Sequence, residues 1–111
     1  MTKIISWNTN GLRATAKQGF FTPIFKKYKP DILCLQETKV EPDQLPDDVR
    51  NIKGYESFFS YSKLRKGYSG VAIYTKEKPI EVFYGVGIKT LDDEGRQVGA
   101  KFKECIIICG Y

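Results

Sequence analysis

Histidine is absent from the 111-residue sequence, and methionine and tryptophan occur once each. An imidazole general base and a histidine metal ligand are therefore excluded from this chain. No apolar run is long enough to span a bilayer, and no basic-then-apolar segment opens the sequence, so neither export nor membrane insertion is expected. Cysteine is scarce and odd in number. Cys34, Cys105 and Cys109 sit in apolar runs without metal-ligand spacing, and are read as reduced core residues of an intracellular, cytoplasmic protein. Repeats and low-complexity linkers are missing too, and a chain of this length is one small domain at most, burying about 65% of its unfolded surface.

Charge is present and unevenly placed. Residues 1–40 carry seven Lys/Arg against two acids, residues 41–60 two against five, and residues 61–111 nine against six. Two basic segments flank an acidic one, so they could converge on a polyanion while the acidic stretch faces elsewhere. A solvated basic surface that binds nothing fits the charge equally well.

Periodicity supplies the elements. "KIISW" reads as a strand running into a turn at "NTNG". Phe21, Ile24, Phe25 and Tyr28 form the stripe of an amphipathic helix that begins just before Pro23 and ends at "KP". "DILCLQE" is too uniformly apolar to have one face in water, which predicts a strand covered on both sides. An acidic connection over 41–54 holds two prolines and a short helix near Asp47 to Ile52. Beyond it come the short strands "YESFFSY", "GVAIYT", "IEVFYGVG", "GAKFK" and "CIIICGY". Many antiparallel strands with one or two helices predict an α+β layered architecture.

The ends of three apolar strands carry polar groups able to meet a metal or a phosphate oxygen: Asn8 and Asn10, Glu37, and Tyr111. Each also has a plain reading. The two asparagines before Gly11 suit a turn, Glu37 could cap a loop or pair with Lys39, and Tyr111 could be a half-buried aromatic with a wet hydroxyl.

In order and separation, "KIISWNTNGLRA", "PDILCLQETK", "GYSGVAIYTK" and "DDEGR" resemble the successive motifs of the exonuclease III family of apurinic/apyrimidinic endonucleases. That family belongs to the endonuclease/exonuclease/phosphatase superfamily, and the resemblance runs from Lys3 to Tyr111. It implies a four-layer α/β sandwich, of which this chain would supply about one half. It also implies base excision repair: Mg2+-dependent hydrolysis of DNA 5′ to abasic sites with 3′–5′ exonuclease activity, Mn2+ being a possible substitute. The partner implied is double-stranded DNA with abasic sites or 3′ ends.

By the same resemblance, Glu37 is the principal metal carboxylate and Asn10 a second or water-mediated ligand. Asn8 would orient catalytic groups or the scissile phosphate, Tyr111 would sit at the active centre, and Gln36 would support the site from the neighbouring face. Arg13, Tyr68, Ser69 and Arg96 resemble the family's contacts to DNA phosphates, a task suited to the planar guanidinium fork. Lys17 and Lys39 are further candidates, for which a solvated lysine is an equal reading. Gly67 and Gly70 would let a loop approach DNA, or would simply serve a hairpin.

One departure matters. Members of the family continue beyond the tyrosine that matches Tyr111, into a Gly-Asp-x-Asn motif and a late Asp-His pair that this sequence lacks. The expectation is an amino-terminal half that is inactive alone and exposes an apolar sheet face, through which it meets the missing half or a second copy. The alternative is a non-catalytic half-domain that binds DNA weakly or pairs with a second chain.

Overall fold

The computed structural model describes residues 2–111. Its architecture is organised about β2 (Ile32–Gln36), whose apolar run is covered on both faces as its sequence requires. β2 pairs in parallel with β1 (Ile4–Asn8), Ile4 opposite Ile32 through Asn8 opposite Gln36. On its other side it pairs antiparallel with β4 (Val71–Thr75), which pairs antiparallel with β3 (Glu56–Ser60). This first sheet has the order β1-β2-β4-β3, and a second has the order β5-β6-β7. The second is antiparallel throughout and comprises β5 (Glu81–Tyr84), β6 (Gln97–Lys101) and β7 (Ile106–Gly110).

Strand alternation sorts the core into two layers. On one face of the first sheet Leu33, Leu35, Ala72 and Tyr74 meet Leu12, Phe21, Phe25, Val40, Leu45 and Val49 from the helical side. On the other face Ile32, Cys34, Val71 and Ile73 meet Val98, Ala100 and Cys109 of the second sheet. Each fully buried Leu, Ile or Phe contributes about 1.5–3 kcal/mol relative to exposure. Aromatic geometry adds direction: Tyr74 meets Phe21 edge-on at 5.4 Å between ring centroids, and its hydroxyl donates to the Val49 carbonyl at 2.9 Å. The chain thus forms three layers: helices, first sheet and second sheet. Among the described residues no element covers the outer face of the second sheet, where Ile106 and Ile108 are 55% and 57% exposed.

The expected strands all form, and the differences lie in pairing, strand length and helices. One strand pair, β1 with β2, is parallel, and a parallel pair needs a crossover. Two helices make it, α1 (Leu12–Lys17) and α2 (Pro23–Tyr28). α2 has Pro23 in its first turn and ends at Lys29 in the left-handed region, but Tyr28 of its predicted stripe stays 42% exposed. α1 gave no signal because only Leu12 is buried; its first turn is held from outside, the Gly11 and Leu12 amides donating to the Glu37 and Thr38 carbonyls at 2.7 and 2.9 Å. Two further helices are single turns, α3 (Asp47–Arg50) and α4 (Lys89–Asp92), preceded in the acidic connection by a 3-10 turn at Pro42–Gln44. The run "IEVFYGVG" ends as strand at Tyr84, because the Asp92 carboxylate takes the Val86 and Gly87 amides at 2.8 and 2.9 Å. No helix of the described residues is long and apolar enough to cross a membrane.

The two sheets are joined at one end by glycines. The Gly70 amide donates to the Gly95 carbonyl at 3.1 Å. Both residues have positive φ, and a Cβ on Gly95 would lie 2.2 Å from the Tyr61 backbone carbon. The close approach that glycine permits here is of the chain to itself.

The cysteines divide. Cys34 and Cys109 are buried between the sheets, whereas Cys105, expected in the core, is exposed in the turn before β7, where residue 105 lies outside the strand. A hydrogen bond to Cys109, then burial, pushes the Cys34 thiol well above its ordinary range, so it stays protonated and inert. A thiol reagent applied to the native chain should therefore label Cys105 alone, with the other two reacting only after denaturation. Peptide mass spectrometry showing fast native labelling of Cys34 or Cys109 would contradict this packing. Gly95→Ala should destabilise the domain by about 2–3 kcal/mol, roughly 10 °C or more in Tm. An unchanged melting curve would refute the contact.

Candidate metal and phosphate site

Parallel register brings the carboxyl ends of β1 and β2 level, so Asn8 and Glu37 leave adjacent strands side by side. Thr9 locks this junction: its amide donates to the Gln36 carbonyl at 2.9 Å and its buried hydroxyl lies 3.1 Å from the Gln36 and Glu37 carbonyls. From β4's side the Thr38 and Lys39 amides donate to the Gly70 and Ser69 carbonyls at 3.0 and 2.8 Å. From the second sheet the Tyr111 amide donates to the Arg96 carbonyl at 2.9 Å. Four strand ends thus meet at one level.

The backbone there is held in an unusual shape. Asn10, Glu37, Lys39 and Ser69 have φ between 46° and 56°, in the left-handed region, and among the described residues only one other non-glycine residue so held, Lys29, lies elsewhere. Such conformations persist where surrounding bonds over-determine them. Here they turn the Glu37 side chain out of its strand.

Asn8 serves turn and site together. Its Oδ1 accepts the Asn10 amide at 3.0 Å, forming the turn, while its Nδ2 donates to Glu37 Oε1 at 3.0 Å. Lys39 Nζ lies 3.6 Å from Glu37 Oε2. Donation from Asn8, then the nearness of the Tyr111 hydroxyl, with the Lys39 charge assisting, holds the Glu37 carboxyl below its ordinary range. The same contact pushes the Tyr111 hydroxyl above its own. Glu37 is therefore an ionised carboxylate aimed by the Asn8 amide.

Beside it stands a cation held by aromatic rings. The Arg96 guanidinium lies 5.4 Å from the Tyr111 ring centroid and 5.5 Å from that of Tyr68, and its Nη2 donates to the Tyr68 hydroxyl at 2.6 Å. Glu94 is 3.5 Å from the same nitrogen. Stacking fixes the plane of the fork and leaves the cation strong.

The remaining expected residues are placed as follows. Arg13 and Lys17 are exposed one helical turn apart on α1, whose start is tied to Glu37. Ser69 differs from its expected role: it is 4% exposed and its hydroxyl donates to the Gly95 carbonyl at 3.4 Å, so burial withdraws it from any external phosphate. Gln36 lies away from Glu37, donating to Ser6 Oγ at 3.0 Å, because successive strand residues face opposite ways. Gly70 packs on Thr38, whose Oγ1 would lie 2.4 Å from an added Cβ, rather than opening a path for a ligand, while Gly67 stands in open space. Asn10 does not touch Glu37 directly; its Oδ1 accepts Lys39 Nζ at 2.8 Å. Sequence reasoning passed over Thr9 and Arg65. The Arg65 guanidinium lies 4.8 Å from the Tyr68 centroid, and its signal was the basic run "KLRKGYSG" beside an aromatic.

A metal at this ledge would find oxygen donors only: the Glu37 carboxylate and the Asn10 amide oxygen. Among the described residues no three His, Cys, Asp or Glu side chains cluster. One carboxylate with few protein ligands fits Mg2+, which keeps most of its waters, and does not fit a structural zinc site.

Comparison with known proteins agrees with this arrangement. The endonuclease/exonuclease/phosphatase family profile matches residues 5–110. The Bacillus subtilis (strain 168) exodeoxyribonuclease is 38% identical over 98% of this chain and 42% of its own length. The DNA repair nuclease APEX1 of Danio rerio is 41% identical over 98% of this chain and 35% of its own. The structure of an AP endonuclease from Archaeoglobus fulgidus superposes with a TM-score of 0.83 at 39% identity, covering 100% of this chain and 41% of that one. The chain thus spans about two fifths of the length of these relatives. On sequence and on fold alike, this chain belongs to the endonuclease/exonuclease/phosphatase family.

Proposed function

We propose that the protein acts in Mg2+-dependent hydrolysis of DNA phosphodiesters, cutting 5′ to abasic sites and removing nucleotides from 3′ ends. The observation that carries this reading is the Asn8 amide aiming an ionised Glu37 at the paired ends of β1 and β2, with Arg96 held alongside by Tyr68 and Tyr111. The names of the relatives, an exodeoxyribonuclease, a DNA repair nuclease and an AP endonuclease, support the substrate and reaction.

Each residue has a task in that chemistry. Arg96 grips a backbone phosphate, with Tyr68 and Tyr111 holding its plane, and Arg13 and Lys17 extend the basic ledge along the strand. Glu37 and Asn10 hold the metal, and Asn8 fixes the rotamer of Glu37 so that the carboxylate is placed before the ion arrives. When bound, the metal offsets charge on the phosphoryl group and stabilises the leaving alkoxide. Tyr111 lines the same ledge beside Arg96.

We further propose that this chain supplies the holding side of the reaction and cuts weakly or not at all alone. Glu37 is engaged on both oxygens, and the sequence offers no histidine to activate water. A second reading, a DNA-binding unit that pairs with another chain, draws on the outward isoleucines 106 and 108.

Incision of a duplex carrying one abasic site, with Mg2+ and with EDTA, alongside the molar mass in solution, tests the two readings. Mg2+-dependent cutting that EDTA abolishes supports the enzymatic reading; DNA binding by a self-associated chain without cutting supports the second. Binding of neither DNA nor metal would overturn both. In any active form, Glu37→Gln should reduce Mg2+-dependent turnover by 100-fold or more, on the order of the loss of one key electrostatic group, with the melting curve kept. Retained turnover would remove Glu37 from the centre. Arg96→Ala should lower the salt dependence of DNA binding by about one phosphate contact, and an identical slope would count against that contact.

A further inference from the structure

Lys39 occupies the oxygens that the proposed function gives to the metal. Its Nζ donates to Asn10 Oδ1 at 2.8 Å and stands 3.6 Å from Glu37 Oε2. Glu37 Oε1 takes the Asn8 amide, and Asn8 Oδ1 takes the Asn10 backbone, each at 3.0 Å. Asn8, Glu37, Lys39 and Asn10 therefore close a ring of polar contacts in which the ammonium is the one cation. It is not a casual surface pairing. The Lys39 backbone is fixed at φ 56° with its amide donating a hydrogen bond to the Ser69 carbonyl, the preceding Thr38 is fully buried, and Asn10 is itself held left-handed at φ 46°.

We propose that Lys39 is the site's own counter-cation: its ammonium and the divalent ion compete for Glu37 and Asn10, and metal entry drives the lysine off both oxygens. The inference rests on the metal reading above and adds to it a residue that sets affinity without being a ligand. A positive charge one contact away opposes a divalent ion with twice the force it exerts on a monovalent one, while water and salt moderate the effect. The ring also has a benefit. Without metal, the carboxylate stays neutralised and aimed, so loading the site exchanges one cation for another instead of ordering a loose loop. Half-exposed, with a flexible four-carbon stem, the displaced ammonium can turn to solvent without disturbing the fixed backbone.

Binding of Mn2+ alone to the full chain, followed by the electron paramagnetic resonance of the free ion at constant ionic strength, tests this directly and requires no turnover. Lys39→Met keeps the stem and removes the charge, and should bind Mn2+ about tenfold more tightly than wild type. Lys39→Asn, a residue at home in the left-handed region, provides a second charge-free variant should methionine perturb folding. Lys39→Arg keeps the charge and should stay within a few-fold of wild type. Fluorescence of Trp7, the one tryptophan, checks that each variant is folded. Equal or weaker binding by both charge-free variants overturns the competition while leaving Glu37 as ligand. Loss of that ligand role reads differently: Glu37→Gln would then bind Mn2+ as wild type does. If neither wild type nor the charge-free variants bind Mn2+, the metal reading and the inference fall together.

Discussion

The parallel pairing of β1 with β2 sets the level at which everything else happens. Antiparallel neighbours would place the end of one strand beside the start of the other, and Asn8 would then lie across the sheet from Glu37. Parallel neighbours finish together, and the register that puts Asn8 opposite Gln36 leaves the Asn8 amide within reach of the next carboxylate along. The crossover that such a pair demands also puts α1 at the mouth of the site, with Arg13 and Lys17 on its exposed side.

A buried scaffold makes the strained ledge tolerable. Each left-handed non-glycine residue costs on the order of 1 kcal/mol, and four of them meet here. Thr9, Thr38, Gly70 and Gly95 secure them through backbone bonds rather than long side chains, so the constraint is local and stiff. Polar side chains at the site can then be spent on Glu37 instead of on the loop. The two thiols between the sheets, Cys34 and Cys109, are buried in the layer that joins them.

Much of this was legible in the residues. An apolar run with no polar alternation announced a strand covered on both faces within five to seven residues, whereas the carboxylate at its end left a loop cap and a site both open, and only the family resemblance chose between them. Relations between distant segments were less legible. Nothing local distinguishes a parallel strand pair from an antiparallel one, and α1 lacks an apolar stripe because tertiary hydrogen bonds hold its first turn. Ser69 was expected at a phosphate through the family resemblance, yet it is buried and its hydroxyl donates to the Gly95 carbonyl. Lys39 read equally well as a solvated lysine, since only the fold brings Asn10 beside it.

The site takes parts from two sheets: Asn8, Glu37 and Lys39 from the ends of the first, Arg96 and Tyr111 from the second. What keeps the parts in step is the sheet-to-sheet layer of Val71, Ile73, Val98, Ala100 and Cys109, small and branched side chains with little slack. Sliding at that layer would change the span from guanidinium to carboxylate while every hydrogen bond within each sheet survived. The distance between the Arg96 guanidinium and the Glu37 carboxylate is thus a property of an apolar seam. A substitution as mild as one methyl group at Ala100 could detune the ledge from a position that touches none of it.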